Sequence, residues 1–322
     1  MEPKRALLII NPISGSGKKK NLDLRVCDRL QQSGFIVDTK WTSASGDATT
    51  FAREATEQGY DTIIAAGGDG TVNETAMALC NTGVNFGIIP CGSGNGLARH
   101  LNIPIDVRES LEIIAKGRTE ICDNGVVNGH KFFCTFGMGF DAAVGHKFAK
   151  SKQRGLATYI RTTFNEYRHY IPEEYVITAN GKVLTERAFV VAVCNASQYG
   201  NNAYIAPHAS ISDGFLDVTI IHYGNPITTA MVGLDLMAGT IENNMLIDTF
   251  RAESLRIERR SAGAVHLDGE PMELPAIVDI HCNKHSLSIY TPGPDAQVRP
   301  LLTPIMSLFN EIGTTLRSMV KK

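Results

Sequence analysis

The sequence lacks any apolar run long enough to cross a bilayer. Its apolar stretches are the length of a strand, as at residues 188–194, whereas a membrane-spanning helix needs about 20 predominantly apolar residues. A strand-like pattern begins at Ala6, which leaves no room for a signal peptide before it. We therefore expect a cytoplasmic protein, and we expect its contact with a membrane to be peripheral, at the inner face.

The sequence also lacks a basic excess and any paired arrangement of cysteines. Lys and Arg number 31 against 33 Asp and Glu, a net charge of −2, so nothing in the overall charge favours nucleic acid as a partner. The seven cysteines are scattered and form no Cys-x-x-Cys pair, which fits buried thiols better than disulfides or zinc. At 322 residues, with 43% apolar and 20% charged residues, the chain is long enough for two globular domains.

The first third of the chain alternates strand-like and helix-like patterns. The strand-like runs show no polar alternation, which is typical of a parallel sheet covered by helices on both faces. Asp47 is predicted to cap the second helix. Strands are predicted at residues 6–10, 35–38, 60–66 and 86–90, and helices at residues 21–32, 47–59, 73–80 and 107–116. We predict a doubly wound α/β domain over residues 1–122.

From about residue 123 the pattern becomes that of an antiparallel sheet. Asn128-Gly129 and Asn180-Gly181 each lie between strand-like runs, a strong signal for hairpins. We predict a β-rich domain, a sandwich, over residues 123–294. An apolar stripe at helical spacing predicts that residues 295–322 form a C-terminal helix that packs back on the N-terminal domain. Further strands are predicted at residues 189–193, 215–221, 254–258, 264–267, 277–280 and 286–290, and a helix at residues 228–242.

The most informative stretch is Gly-Gly-Asp-Gly-Thr-Val-Asn-Glu at residues 67–74, between a strand and a helix. Glycines allow the backbone to turn sharply and to approach a ligand, and amides at a helix N-terminus favour an anion. In this setting Asp69 fits a metal ion or a phosphate-bound water, whereas the simpler interpretation is a tight turn capped by Asp69. Residues 11–15 and 90–99 form similar loops after two other strands. Because parallel strands end at one edge of a sheet, the three loops together outline a nucleotide cleft.

The stretch at residues 67–74 resembles the signature of the diacylglycerol kinase catalytic-domain family, which includes bacterial diacylglycerol kinase-like lipid kinases and the sphingosine and ceramide kinases. Its first four residues also occur in NAD kinases and phosphofructokinases. The resemblance runs from Asn11 to about Tyr290, and it implies ATP and Mg²⁺ as cofactors. The nucleotide-binding residues implied by the loops and by this resemblance are Asn11, Pro12, Ile13, Ser14, Gly15, Thr42, Gly67, Gly68, Asp69, Gly70, Thr71, Val72, Asn73, Gly92, Ser93, Gly94 and Asn95.

The catalytic acids are predicted at the end of a strand in the second domain. Residues 265–270 resemble the family's Asp-Gly-Glu strand end, whose acids face the cleft. A lipid hydroxyl must lose its proton as it attacks phosphorus, so a nearby carboxylate is the expected base. We predict Asp268 as the base and Glu270 as its rival or as a partner of the metal, with Asp69 as the third acid. The alternative is that Asp-Gly serves only as a hairpin turn.

A structural Mg²⁺ site is also implied by the resemblance. Residues 207–217 resemble a family segment whose main-chain oxygens hold Mg²⁺, and these correspond to Ser210, Asp213 and Phe215. Oxygen ligands suit this ion. Asp123 matches a family aspartate linked to the metal through water, whereas taken alone it would be a strand-edge or linker acid.

Two segments are candidates for contact with lipid. Residues 146–170 combine six basic residues with aromatic ones, a pattern that fits either an anionic membrane surface or an exposed face over a core. Residues 137–144 resemble a family stretch that shapes the acceptor pocket. In that stretch Ala143 replaces the acid that sphingosine kinases use for the lipid head group, which argues against a sphingoid base. His266 is predicted to be a core or surface histidine rather than a ligand.

The resulting prediction is a lipid kinase that transfers the γ-phosphoryl group of ATP to diacylglycerol, giving phosphatidic acid. Its partners are a lipid with a free hydroxyl, the membrane surface and, in a homodimer, a second copy. The third glycine loop departs from the usual family pattern, with Ser93 in place of Thr and Gly96 in place of an acid, which leaves the lipid open. The alternatives are a sphingosine- or ceramide-type kinase, an NAD kinase, or a non-enzymatic protein that binds nucleotide or lipid.

Overall fold

The computed structural model describes residues 3–15, 21–150, 167 and 169–293, with residues 148–150 described by their main chain. Within these ranges the chain forms one 15-stranded sheet system with helices packed against it. No helix in the described ranges is long and apolar enough to cross a membrane. The predicted C-terminal helix at residues 295–322, and most of the basic and aromatic segment at residues 146–170, lie outside the described residues.

The N-terminal part is the predicted α/β unit. Four strands lie side by side in the order β4-β3-β1-β2, and all their pairings are parallel. Residues of β1 and β3 are almost entirely buried, because helices cover both faces of the sheet. The elements are β1 (Lys4–Ile10), α1 (Leu22–Gln31), β2 (Phe35–Trp41), α2 (Asp47–Glu57), β3 (Thr62–Gly67), α3 (Asp69–Leu79), β4 (Asn85–Pro90), α4 (Gly96–His100) and α5 (Val107–Lys116).

The C-terminal part is the predicted antiparallel β-sandwich. Asn128-Gly129 and Asn180-Gly181 have positive φ at both positions and form the two predicted hairpin turns. The elements are β5 (Thr119–Val127), β6 (His130–Phe132), β7 (Thr135–Gly139), α6 (Phe140–Lys150), β8 (Glu173–Ala179), β9 (Lys182–Cys194), β10 (Leu216–His222), α7 (Pro226–Ala238), a 3-10 turn (Ile241–Asn243), β11 (Ile247–Ala252), β12 (Ser254–Arg259), β13 (Gly263–Leu267), β14 (Glu270–Leu274) and β15 (Ile277–Tyr290).

Strand β15 joins the two parts. It pairs with β12 and β5 in antiparallel fashion, and at its C-terminal end Ser288 and Ile289 pair with β4 in parallel. The Tyr290 hydroxyl lies 3.0 Å from Thr62 Oγ1 of β3. The predicted boundary after residue 122 falls inside β5. A single continuous strand therefore fixes the position of the β-sandwich against the parallel sheet.

The apolar side chains are arranged in one core for each part. The N-terminal core is formed by side chains of β1, β3 and β4 and of the inner faces of their helices. The second core is formed by side chains of the sandwich strands. A third, smaller cluster contains Phe140 and Phe189 and lies beside α7. The predicted fold class is therefore confirmed, with two cores that share β15.

Several elements differ locally from the prediction. The strands predicted at residues 277–280 and 286–290 are one strand, β15, whose register shifts between Asn283 and Leu287. Asp47 is the first residue of α2 and not its cap; its carboxylate accepts hydrogen bonds from Ser43 and Ala44 of the preceding loop. The main-chain amides at the N-terminus of α2 find their acceptor in α3 instead, because the Glu74 carboxylate accepts from the amides of Gly46 and Ala48.

Candidate functional site

The three predicted glycine loops come together at the carboxyl ends of β1, β3 and β4. The first loop is residues 11–15, the second is residues 67–74 and the third is residues 90–99. A side chain at Gly92 would place its Cβ 2.6 Å from the Cα of Gly68, and one at Gly15 would place its Cβ 2.0 Å from the carbonyl oxygen of Cys91. Gly15 also has a φ of +75°, which favours glycine. These close approaches explain why glycines recur in all three loops.

The first loop is attached to the second by Asn11. Its side-chain amide donates a hydrogen bond of 3.0 Å from Nδ2 to Thr71 Oγ1 at the start of α3, and its side-chain oxygen accepts from the main-chain amide of Ile13. Ser14 donates to the Asn11 carbonyl oxygen. Among the other predicted nucleotide residues, Thr42 follows β2 and its amide donates to the carbonyl oxygen of Ile10. Each of these strand ends is hydrogen-bonded to its neighbour, so the loops form one surface.

Asp69 connects the second loop to the third. It is the first residue of α3, and its Oδ1 and Oδ2 accept hydrogen bonds from the amides of Gly96 (2.7 Å) and Asn95 (2.9 Å). A Cβ at Gly94 would lie 2.7 Å from Asp69 Oδ2. An ionised carboxylate offers roughly four acceptor sites, so these two bonds use about half of the capacity of Asp69.

Asp268 faces Asp69 from the β-sandwich side, on the turn between β13 and β14. Asp268 and Gly269 form a two-residue hairpin turn with φ of +50° and +86°, so the turn interpretation is correct in geometry. The carboxylate nonetheless points inward, where its two oxygens accept four hydrogen bonds of 2.7–2.9 Å. The donors are the amides of Phe133, Cys134 and Thr135 and the side-chain amide of Asn73.

The pKa of Asp268 reflects two opposing effects. Burial raises the pKa of the carboxyl, while the four donors favour the ionised form and lower it, and the net direction is upward. A carboxylate with a raised pKa is a stronger base than an exposed aspartate. Cys134, one residue from Thr135, is also buried, and burial raises the pKa of its thiol far above the ordinary range, so it stays protonated.

Asp69 and Asp268 line one cavity, although they are about 200 residues apart in the sequence. Tyr199 and Cys134 also lie in its wall. Glu270 is exposed on β14 and is not among the lining residues. The lining residues are Asp69, Val72, Asn73, Ile88, Pro90, Asn95, Gly96, Leu97, Ala98, Cys134, Thr135, Tyr199 and Asp268.

The residues predicted for a structural Mg²⁺ lie together beside β10. Asp213 forms an ion pair with Arg251 and accepts from the amide of Phe215. Asp217, two residues on, is partly buried; its Oδ1 lies 3.6 Å from Arg251 Nε, and its buried Oδ2 has no hydrogen-bond partner among the described residues. Burial raises the pKa of this carboxyl. A buried carboxylate oxygen without a hydrogen-bond partner is a donor that fits a hard cation.

Asp123 holds this segment in place. It is fully buried, and its carboxylate accepts from the amides of Gly214 and His285, both at 2.7 Å. The Asp123 amide donates to the Ile211 carbonyl oxygen. No group of three or more His, Cys, Asp or Glu side chains suited to a metal occurs in the described ranges. A cation at this place would therefore depend on main-chain oxygens and water.

A further acid, Asp141, lies beside the cavity, in the stretch predicted to shape the acceptor pocket, and no role was predicted for it from the sequence. Asp141, at the start of α6, accepts on its Oδ2 from the Tyr199 hydroxyl (2.8 Å) and bonds to His266 Nε2 (3.0 Å). A Cβ at Gly137 would lie 2.1 Å from His266 Nε2 and 2.5 Å from Asp141 Oδ2. A glycine in the middle of a strand often marks such a close approach, and it is the signal that sequence reasoning could have used.

His100, at the end of α4, predicts a pH dependence of stability. Its Nδ1 accepts from the amide of Ser197 at 3.1 Å, and burial lowers its pKa from 6.5 to about 4. The unfolded chain therefore binds the proton first as pH falls, so stability is lost between pH 6.5 and 4. At pH 5 this loss is about 2 kcal/mol.

Urea unfolding at pH 7.5 and pH 5 measures this effect in the wild type and in His100→Asn, which cannot titrate. We expect the variant to lose about 2 kcal/mol less than the wild type over this interval. His281→Asn, a change at an exposed histidine, is the matched control and should keep the wild-type difference. An unchanged difference in His100→Asn would contradict the prediction.

Comparison with known proteins agrees with this geometry. Residues 5–127 match the diacylglycerol kinase catalytic domain, and residues 135–290 match the YegS C-terminal NAD kinase beta sandwich-like domain. The chain is 29% identical over 280 residues to a diacylglycerol kinase of Bacillus subtilis, covering 83% of this chain and 90% of that one. It is 30% identical over 292 residues to a probable YegS-like lipid kinase of Pectobacterium atrosepticum, covering 86% and 94%.

Solved structures show the same fold. A putative diacylglycerol kinase from Bacillus anthracis superposes with a TM-score of 0.76 at 24% identity, covering 92% of this chain and 100% of that one. An NAD kinase from Archaeoglobus fulgidus, in complex with ATP, superposes with a TM-score of 0.50 at 11% identity, covering 89% and 93%. The chain therefore belongs to the diacylglycerol kinase catalytic-domain family of lipid kinases, which transfer phosphate to an alcohol group.

Proposed function

We propose that this protein transfers the γ-phosphoryl group of ATP to the hydroxyl of a membrane lipid, with diacylglycerol as the acceptor and phosphatidic acid as the product. The observation that carries the proposal is the cavity shared by Asp69 and Asp268. One acid belongs to the glycine loops, and the other belongs to the opposite β-sandwich. Phosphoryl transfer needs such an arrangement, because the phosphate and the attacking oxygen must be held in line from two sides.

The nucleotide is proposed to bind over the three glycine loops. Their main-chain amides and the N-terminus of α3 favour a polyphosphate, and the absent side chains at Gly68, Gly92 and Gly94 let the second and third loops pack closely into one surface. ATP is the nucleotide in the Archaeoglobus NAD kinase structure, whose fold this chain shares. We propose that ATP takes the corresponding place here.

Mg²⁺ is proposed at two places. Beside the phosphates, Asp69 retains acceptor capacity and would hold a nucleotide-bound ion, which offsets negative charge in the transition state. Beside β10, the main-chain oxygens of Ser210, Asp213 and Phe215 would hold a structural ion, supported by the unpartnered oxygen of Asp217. Asp123 would fix this segment through its bonds to Gly214 and His285.

The acceptor hydroxyl is proposed to lose its proton to Asp268. Its carboxylate points into the cavity and burial raises its pKa, which suits a base near neutral pH. All of its roughly four acceptor sites are occupied, and only the donor from Asn73 is a side chain. Rotation of the Asn73 amide toward phosphate would open one site on Oδ2. Glu270 remains the rival base.

The experiment that tests the function is incubation of the purified protein with Mg²⁺, γ-labelled ATP and a panel of acceptors. The panel contains diacylglycerol, sphingosine, ceramide and NAD. We expect label in a chloroform-soluble product identified as phosphatidic acid. Label in a phosphorylated sphingoid base or ceramide would replace the acceptor, and label in NADP would favour an NAD kinase. ATP binding with no labelled product would favour a non-enzymatic protein.

Peripheral membrane contact is proposed at α7. Ile227, Met231, Leu234 and Met237 recur on one face of this helix at spacings of three and four, and all are exposed. Val232 is the one buried residue of the helix. Its single charged residue, Asp235, bonds to Thr240 and Asn244. An exposed apolar face of this kind suits the interface of a bilayer.

Leu234→Glu tests this surface, and Leu24→Glu on α1 is a matched control. Both leucines lie on helices, with exposures of 54% and 58%. We expect Leu234→Glu to reduce co-sedimentation with phosphatidylglycerol vesicles about tenfold, since an inserted leucine contributes roughly 1.5 kcal/mol or more. The control should bind like the wild type. Equal binding by both variants would place the membrane contact elsewhere.

A further inference from the structure

Tyr199 lies between the nucleotide loops and the sandwich. Its ring lines the cavity, and its carbonyl oxygen lies within 3.5 Å of a Cβ built at Gly96. The next residue, Gly200, has a φ of +107° and packs against the main chain of Gly94. The loop that carries Tyr199 therefore rests directly on the third glycine loop, which Asp69 holds by its two hydrogen bonds.

The hydroxyl of Tyr199 extends the contact into the sandwich. It donates to Asp141 Oδ2 at 2.8 Å, and the same oxygen lies 3.0 Å from His266 Nε2. Since a carboxylate accepts, His266 carries its proton on Nε2, and its Nδ1 accepts from the amide of Gly269 at 3.4 Å. His266 is 6% exposed and Asp141 18%, so water competes little for these bonds.

These contacts complete a ring around the cavity. From Asp69 the ring runs through Gly96, Tyr199, Asp141 and His266 to the turn that carries Asp268. It returns to α3 through the bond from Asn73 to Asp268 Oδ2. Asn73 lies four residues after Asp69, which places both on one face of α3. The loops that receive phosphate and the turn that receives the acceptor are thus tied together on both sides.

We propose that Tyr199, Asp141 and His266 are positioning residues, which set the Asp268 turn at the distance from the glycine loops that phosphoryl transfer requires. This inference rests on the proposed function, and it adds three side chains whose role lies in geometry. Their removal should therefore slow the transfer step while nucleotide still binds, because a small displacement of a catalytic group lowers the rate strongly.

The test is a double-mutant cycle with Tyr199→Phe and Asp141→Ala, measured as kcat and as KM for ATP. We expect each variant to lower kcat about 30-fold with KM for ATP within about twofold, and the double variant to lose little more. Asp141→Asn, whose amide oxygen can still accept, should recover part of the loss. Tyr290→Phe is the matched control: it also removes a buried tyrosine hydrogen bond, to Thr62 outside the cavity, and should keep the wild-type kcat.

Two outcomes for kcat would overturn the positioning role: a Tyr199→Phe variant with wild-type kcat, or losses that multiply in the double variant. A large rise in KM for ATP would instead make Tyr199 part of the nucleotide site and would also overturn it. If the wild type phosphorylates no lipid, the proposed function fails separately. The same cycle is then measured on the slow transfer of phosphate from ATP to water, with the same expected and contradicting results.

Discussion

Replacement of Asp268 by asparagine is expected to lower kcat for lipid phosphorylation by about a thousandfold, the range in which a general base contributes. The asparagine oxygen still accepts from part of the donor set, but the side chain has lost its charge and its basicity. ATP should still bind, because the glycine loops are unchanged. Measurement of kcat alongside equilibrium binding of ATP separates the loss of the base from damage to the nucleotide site.

Asp268→Ala should show a second effect, a loss of stability of about 3 kcal/mol. The amides of Phe133, Cys134 and Thr135 and the side chain of Asn73 would all lose their acceptor in a buried place, and unsatisfied buried donors are costly. Urea unfolding measures this loss. If Asp268→Asn kept full kcat while Asp268→Ala lost only stability, Asp268 would be a structural clamp and not the base.

Glu270→Gln provides the comparison that decides between the two acids. Glu270 is exposed on β14, so its replacement should change stability by no more than about 0.5 kcal/mol. We expect kcat to fall far less than in Asp268→Asn. A thousandfold loss in Glu270→Gln, with Asp268→Asn near wild type, would transfer the role of base to Glu270.

The turn at Asp268 shows what the sequence could and could not supply. Asp-Gly between strand-like runs predicts a hairpin, and resemblance to an acidic family motif predicts a base; the structure shows that the first residue of the turn also presents its carboxylate to the cavity. The left-handed backbone required by the turn aims the carboxylate inward at the amides of residues 133–135. Sequence patterns predict the turn and the acid separately, and only the backbone path shows where the carboxylate of the turn lies.

The glycine loops could be predicted because their chemistry is local. Each follows an apolar strand, and parallel strands end at one edge, so the three loops had to meet. The group of Tyr199, Asp141 and His266 could not be predicted in the same way. Its members are 58 and 125 residues apart, and no periodic pattern connects a loop, a helix start and a strand over such distances.

The errors in the prediction of β15 and α2 both arise from contacts with elements that are distant in the sequence. A polar stretch of Asn, Lys and His interrupts the apolar pattern of β15, and from sequence it reads as a break between two strands. In the structure the stretch is accommodated by a shift in register, because β5 pairs with β15 both before and after it. At α2, Asp47 has the chemistry of a cap, but Glu74 reaches the orphan amides from a neighbouring helix.

Gly92→Ala is expected to raise KM for ATP at least tenfold. The added Cβ would lie 2.6 Å from the Cα of Gly68 and 2.9 Å from Asn95 Oδ1, and neither main-chain atoms nor a side chain held by hydrogen bonds at both ends can move away cheaply. The second and third loops must therefore separate, which spreads the amides that would receive phosphate. Steady-state kinetics and equilibrium binding of ATP measure the change.

Two other glycines separate this effect from a general cost of adding a methyl group. Gly233→Ala, within α7 with nothing near its Cβ, should leave KM for ATP unchanged and add a little helix stability. Gly70 lies in the central motif itself, and outside its own helix backbone no described residue comes within 4 Å of a Cβ built there. A loss of ATP affinity in Gly70→Ala would mean that the nucleotide approaches this backbone. Wild-type affinity in Gly92→Ala would show that the loops can separate without cost, and the nucleotide surface proposed here would then be wrong.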